Sequence, residues 1–134
     1  MQTNLQELKE TYSRQTYSVF SINRQQKIAD SQVTFSLAHS VFIIPVFGAA
    51  EITIGGNEFV CEGTTVVHVP AGQTVTYRTL YGRSFDHVNI YYDGIKGDVT
   101  SPIFNAYAFD PQGFDRILDK LLDLEKLNTT PSLD

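Results

Sequence analysis

A charge-poor stretch cut into short, evenly spaced pieces constrains this chain most. Between residues 33 and 92 it carries four acidic residues, Glu51, Glu58, Glu62 and Asp86, and two basic ones, Arg78 and Arg83. Such a stretch must bury much of its surface or line a cavity with the remainder. The pieces are rich in β-branched and aromatic residues, which suit the pleated face of a sheet. They read as strands over residues 17–22, 32–37, 41–47, 51–54, 58–61, 66–69, 74–79 and 85–92. Gly55-Gly56-Asn57 signals a hairpin, Pro70-Ala71-Gly72 turns the chain again, and a further turn falls around Gly82. Short strands at this spacing predict a sandwich or small barrel.

The flanks follow other rules. Residues 1–16 are polar, with Leu5 and Leu8 on one face and Tyr12 a turn further on, so they read as a short helix or a mobile arm. The barrel and its exit loop span 17–109. From 110 the period changes. Asp110-Pro111 has the form of a helix start, with Asp as cap and Pro in the first turn. Phe114, Ile117, Leu121 and Leu124 recur at 3, 4, 3 spacing, a coiled-coil seam on a helix expected over 110–128. Leu118, Leu122 and Leu127 add apolar surface beside it, so one flank should pack on the domain and the other on something else. The seam predicts a homodimer. The Thr/Pro/Ser-rich stretch 129–134 reads as a linker.

Composition excludes several classes. With 134 residues the chain has the size of one domain with a real core. A formal net charge of −5 argues against nucleic-acid binding by these residues. The single cysteine, Cys61, rules out an internal disulfide framework. No apolar run has the length of a membrane span, and Met1 to Glu10 is too polar for a secretory signal. The expectation is a cytoplasmic, soluble domain, which makes the sequon at Asn128-Thr129-Thr130 a chance match.

Few residues carry chemistry. The chain has no P-loop, no dinucleotide fingerprint and no Gly-x-Ser-x-Gly elbow. Cys61 lies in a strand and reads as a core thiol. The three histidines, His39, His68 and His87, fall on separate strands or strand ends, and they form a metal site only if they converge in space. His39 and His68 read as turn or structural histidines. His87 opens the alternation His87, Asn89, Tyr91, which places three polar-capable side chains on one strand face, with Val88 and Ile90 on the other. That face looks either to water or into a hydrogen-bonding pocket for a polar small molecule.

The run Gly48-Ala-Ala-Glu-Ile-Thr-Ile-Gly-Gly-Asn-Glu-Phe-Val-Cys61, followed by Pro70-Ala-Gly72 and Tyr77, resembles the N-terminal cupin domain of AraC-family transcription regulators. The resemblance covers about residues 17–93, and the helix after it fits the family's dimerisation helix. It implies a mainly β fold, a cupin-like double-stranded β-helix or jelly-roll barrel followed by a C-terminal α-helix. Two departures stand out. The family's Gly-Asp turn appears as Gly63-Thr64-Thr65. Metal-binding cupins carry a histidine just after the Pro-x-Gly turn, a His-x-His pair, and a Glu before the equivalent of Gly48. Here Gln73-Thr74-Val75 and Val41-Phe-Ile-Ile-Pro-Val-Phe47 supply no ligand. The resemblance therefore implies a metal-free cupin without a cofactor, and not an enzyme. A sugar-responsive member contacts its ligand from positions that match Tyr77, His87 and Asn89. Asn89 stands where an aromatic sits there, so a stacking surface for a sugar ring is lost.

Together these readings give an effector-sensing and dimerisation domain. Tyr77, His87, Asn89 and Tyr91 would contact a small-molecule effector, and Phe114, Ile117, Leu121 and Leu124 would form the dimer helix. DNA would be read only by a separate helix-turn-helix domain beyond the linker. The alternatives are a stand-alone cupin enzyme of isomerase or dioxygenase type and a purely structural dimerisation module.

Overall fold

The computed structural model describes residues 17–94 and 105–129. Nine strands and one helix follow in order: β1 (Tyr17–Lys27), β2 (Gln32–Ser36), β3 (Ser40–Phe47), β4 (Ala50–Ile54), β5 (Asn57–Cys61), β6 (Val66–Val69), β7 (Thr74–Thr79), β8 (Phe85–Gly94), β9 (Tyr107–Phe109) and α1 (Phe114–Thr129). They form two antiparallel sheets, one of order β1-β8-β3-β6-β9 and one of order β2-β7-β4-β5. The arm or short helix expected over 1–16, part of the exit loop and residues 130–134 of the expected linker lie outside the described residues. No described helix is long and apolar enough to cross a membrane.

Local chemistry sets the turns. Ile54 pairs with Asn57, so Gly55 and Gly56 form a two-residue hairpin loop with φ of 56° and 87°. Positive φ at both central positions is what the right-handed twist of a hairpin demands, and glycine adopts it without strain. Gly48 is needed for a second reason. Its φ is 76°, and a Cβ there would overlap the carbonyl oxygen of Ser84. Pro45 interrupts β3 where the pairing with β8 shifts register, beyond the last β3 residue paired with β6. It therefore removes no donor that β6 uses.

The five-stranded sheet is covered on both faces. Its inner face meets the four-stranded sheet around Val41, Ile43, Ile52, Val67, Val75, Tyr77 and Phe85. Its outer face carries Ile44, Val66 and Val88, and Phe114 and Leu121 of α1 pack on them. Leu118 and Leu122 add to the same contact. Each such side chain taken out of water stabilises the fold by roughly 1.5–3 kcal/mol before entropy is counted.

Three departures from the expectations have plain causes. Strand β1 continues through the polar residues Asn23 to Lys27, because it is held along its whole length by β8. Strand β9 was not expected; it pairs with β6 and carries Tyr107 and Phe109 on the outer face. The helix begins at Phe114 and not at Asp110. The Asp110 carboxylate is taken by the hydroxyls of Thr64 and Thr65, at 3.1 and 2.9 Å, so it does not cap the helix.

Candidate functional site

The inner face of β1 and β8 is polar. Pairing sets Ser21 against Tyr91, Asn23 against Asn89 and Gln25 against His87. Alternation along each strand then sends Gln25 and Lys27 to the same side as His87, Asn89 and Tyr91. These five side chains close a ring of hydrogen bonds. Lys27 Nζ lies 3.0 Å from Gln25 Oε1 and 3.1 Å from His87 Nε2. His87 Nδ1 lies 2.8 Å from Asn89 Oδ1. Asn89 Nδ2 and Gln25 Nε2 both donate to Tyr91 Oη, at 2.9 and 3.3 Å.

Proton directions in the ring follow from its one obligate donor. An ammonium only donates, so His87 Nε2 accepts and His87 Nδ1 carries the proton. His87 and Asn89 are fully buried, and Lys27 is 7% exposed. Burial, and secondly the charge of Lys27, lower the His87 pKa to about 4. Burial also lowers the pKa of Lys27. The ammonium sits 4.5 Å from the Tyr77 ring centroid and 5.3 Å from that of Phe35, and aromatic faces stabilise a cation there. The ion pairs Arg24–Asp86, His39–Asp93 and Arg78–Glu51 do not include Lys27, which has no carboxylate partner among the described residues.

A cleft of about 240 Å³ opens beside this ring, lined by Gln25, Phe35, Leu37, His39, Tyr77 and Tyr91 together with Ser36 and Ala38. The four residues singled out for effector contact thus separate into two layers. Tyr77 and Tyr91 line the cleft. His87 and Asn89 lie behind them, with the His87 ring stacked on Tyr77 at 5.3 Å and on Phe85 at 4.7 Å. Burial raises the pKa of Tyr77, which keeps its phenol protonated. Gln25, Lys27 and Phe35 were missed from the sequence. Residues 23–27 are polar throughout, so nothing marked Gln25 and Lys27 as inward before β1 was paired with β8, and Phe35 read only as one residue of a strand.

The histidines go to three places. His87 is inside the barrel. His68 is on the outer face of the same sheet, fully buried, with Nδ1 donating to the Asn105 carbonyl at 2.8 Å and Nε2 accepting from Tyr92 Oη at 2.6 Å. Its ring stacks on Tyr107 at 4.7 Å, and burial lowers its pKa to about 4. His39 sits at the cleft, 2.7 Å from Asp93. Cys61 is a core thiol, held between the carbonyls of Ile43 and Thr65, and burial raises its pKa. No buried side-chain nitrogen or oxygen among the described residues lacks a hydrogen-bond partner.

The helix seam also divides. Phe114 and Leu121 are each 8% exposed and belong to the chain's own core, whereas Ile117 and Leu124 are 39% and 46% exposed. The 3, 4, 3 spacing is therefore shared between an inward and an outward face.

No family model matches the chain. No curated protein matches it. Solved structures do. ToxT from Vibrio cholerae O395, bound to (E)-4-(8-methylnaphthalen-1-yl)but-3-enoic acid, is similar with a TM-score of 0.59 at 9% identity, over 87% of this chain and 51% of that one. ToxT from Vibrio cholerae strain SCE256 with an unsaturated fatty acid gives 0.54 at 11% identity, over 84% and 47%. YhaK from Escherichia coli gives 0.54 at 12% identity, over 72% and 44%. The chain spans about half the length of the ToxT chains it matches. At these identities the likeness concerns the fold, which is the mainly β cupin-like jelly roll followed by a helix.

Proposed function

We propose that this chain is the effector-sensing domain of an AraC-like transcription regulator and acts without catalysis. The observation that carries the reading is the cleft on the jelly roll, walled by Tyr77, Tyr91 and Phe35 and backed by a closed polar ring. ToxT, an AraC-family regulator that shares the fold, is a protein with small organic acids bound. The ring favours binding over chemistry. Both nitrogens of His87 are committed to hydrogen bonds, which leaves no free lone pair on it for general-base work. A small effector entering the cleft would press on Phe35 of β2 and Tyr91 of β8, one from each sheet, and so bias the arrangement of the barrel.

The outward row of α1, Ile117 and Leu124, would carry the homodimer contact, and DNA would be read by a separate helix-turn-helix domain. Two copies held this way would place two readers on paired half-sites. The test is thermal unfolding of the protein with fractionated small molecules from cell extract. At least one fraction should raise the melting temperature of the native chain and not of Ala38→Trp, which fills the cleft. If every fraction leaves both proteins unchanged, the effector reading fails.

A further inference from the structure

We propose that Lys27 is a covalent capture site, where an aldehyde on a short apolar or aromatic body enters the cleft and condenses with the Nζ amine to a reversible iminium. The proposal rests on the reading of the cleft as an effector site and names the reactive group of what enters it.

Four neutral groups surround the amine. Nζ donates to Gln25 Oε1 at 3.0 Å and to His87 Nε2 at 3.1 Å, and it lies 4.5 Å and 5.3 Å from the ring centroids of Tyr77 and Phe35. His87 is uncharged with its pKa lowered to about 4, and burial keeps the Tyr77 phenol protonated. No carboxylate among the described residues offsets the ammonium: Asp86 is taken by Arg24, and Asp93 by the cleft-lining His39. A buried ammonium without a counter-charge gives up its proton more readily than a surface lysine does, and burial lowers the pKa of Lys27. Once deprotonated, the amine keeps two hydrogens. Its bonds to Gln25 and His87 use both, which leaves the lone pair uncommitted. A desolvated lysine in that state is a carbonyl-reactive nucleophile.

Access runs through the cleft. Gln25, Phe35 and Tyr77, three of the four groups around Nζ, line it. Lys27 itself is 7% exposed, but Phe35 is 46% exposed and meets Tyr77 edge-on at 6.1 Å, so its ring is a movable cover over the amine. The cleft of about 240 Å³ has room for roughly eight waters at about 30 Å³ each, enough for a benzaldehyde-sized body against Phe35, Leu37 and Tyr77. In the condensation the nitrogen lone pair forms a bond to the carbonyl carbon. The carbonyl oxygen takes two protons from the nitrogen and leaves as water while the C=N bond forms. Ammonium and aldehyde thus give iminium and water, with no change in charge and no redox partner. The Tyr77 and Tyr91 hydroxyls, at the same cleft, can donate to the carbonyl oxygen as it gains charge. The iminium keeps one N–H for Gln25 or His87. Water reverses the bond, so capture is stoichiometric and the domain still acts without catalysis.

The test is reductive trapping of the whole chain with benzaldehyde and cyanoborohydride at pH 7. The reductant fixes each iminium as a benzylamine, and peptide mass mapping gives the rate at each lysine. Lys27 should react about tenfold faster or more than Lys120, an exposed lysine of α1, because each unit of lowered pKa makes the free amine about tenfold more abundant. Ala38→Trp, which fills the cleft, should slow Lys27 and leave Lys120 unchanged. Should Ala38→Trp fold poorly, excess benzyl alcohol, the same body without a carbonyl, is the competitor that should slow Lys27 alone. The proposal is overturned if Lys27 reacts no faster than Lys120, or if its fast reaction persists unslowed when the cleft is filled. Those outcomes leave the effector site standing wherever an extract fraction still stabilises the native chain and not Ala38→Trp. Loss of that stabilisation sinks the site itself.

Discussion

His68 on β6 and His87 on β8 are both fully buried, both carry the proton on Nδ1, and both have a pKa lowered to about 4. They differ in which face of the five-stranded sheet they occupy. His68 lies outside the barrel, clamped between Asn105 and Tyr92 and stacked on Tyr107, and is not among the residues that line the Tyr77–Tyr91 cleft. A backbone carbonyl, which only accepts, sets its tautomer. His87 lies inside, and an ammonium, which only donates, sets its tautomer. Its hydrogen bonds run on to Tyr91 at the cleft. The same side chain, at the same burial and in the same protonation state, is tied into a packed aromatic cluster on one face and to the cleft-lining Tyr91 on the other. Burial alone therefore says little about role. What lies at the far end of the hydrogen-bond chain says more.

The largest test of this pairing is acid. Each histidine has a folded pKa near 4 against an ordinary value of 6.5, so between those values the unfolded chain binds the extra protons. Stability is complete above pH 6.5 and falls as the pH drops towards 4, by roughly 3 kcal/mol per histidine at most. Urea unfolding at pH 7 and pH 4 should show the drop, and His68→Gln or His87→Gln should each remove about half of it. A drop unchanged in both variants would dissociate the acid response from these residues.

Truncation should separate the two faces. His68→Ala opens a cavity and deletes two hydrogen bonds in a packed aromatic cluster, a destabilisation of about 3 kcal/mol, with the cleft's ligand response intact. His87→Ala lies next to the cleft, where water can enter, so about 1–2 kcal/mol is expected together with a lost response. Denaturation midpoints and ligand-induced melting shifts measured on both variants would reveal a reversed pattern.

A smaller effect sharpens the comparison. Lys27→Met removes a buried ammonium and should change stability by only about 1 kcal/mol in either direction, because the lost hydrogen bonds offset relief of its desolvation. It should raise the His87 pKa and leave that of His68 unmoved, as read by NMR titration of the ring carbons. The smallest effect on folding belongs to α1. Ile117→Asp with Leu124→Asp should alter stability by under about 0.5 kcal/mol, since both side chains are exposed. Light scattering should nonetheless show a lower mass if that row joins two copies. Leu121 is unsuited to this test, because it is buried in the chain's own core.

Much of the fold was legible in the residues themselves. Period-2 alternation and β-branched content located eight strands to within a few residues, apart from the polar half of β1, and Gly55-Gly56 located a hairpin. Those signals are local, carried by φ preferences and by side chains two apart. The polar half of β1 and the short β9 left no such signal, since neither is apolar and alternating enough to stand out. Asp110 looked like a cap because Thr64 and Thr65 are far away in sequence. The site was half legible. Alternation pointed to Tyr91 as well as His87 and Asn89, but not to Lys27, Gln25 or Phe35.

What the sequence determined by itself, then, was a series of strands with charge kept out of them, and one face of β8 that was polar. Whether that face met water or an interior was a matter for tertiary structure. The register that sets Gln25 beside His87 joins positions about sixty residues apart, and no local preference encodes it. Once made, that pairing closes the ring, turns Tyr91 towards the cleft and leaves His68 on the other side of the sheet. The charge-poor stretch has both of the uses its composition allowed: most of it is buried or half-buried, and a few of its residues line a cleft.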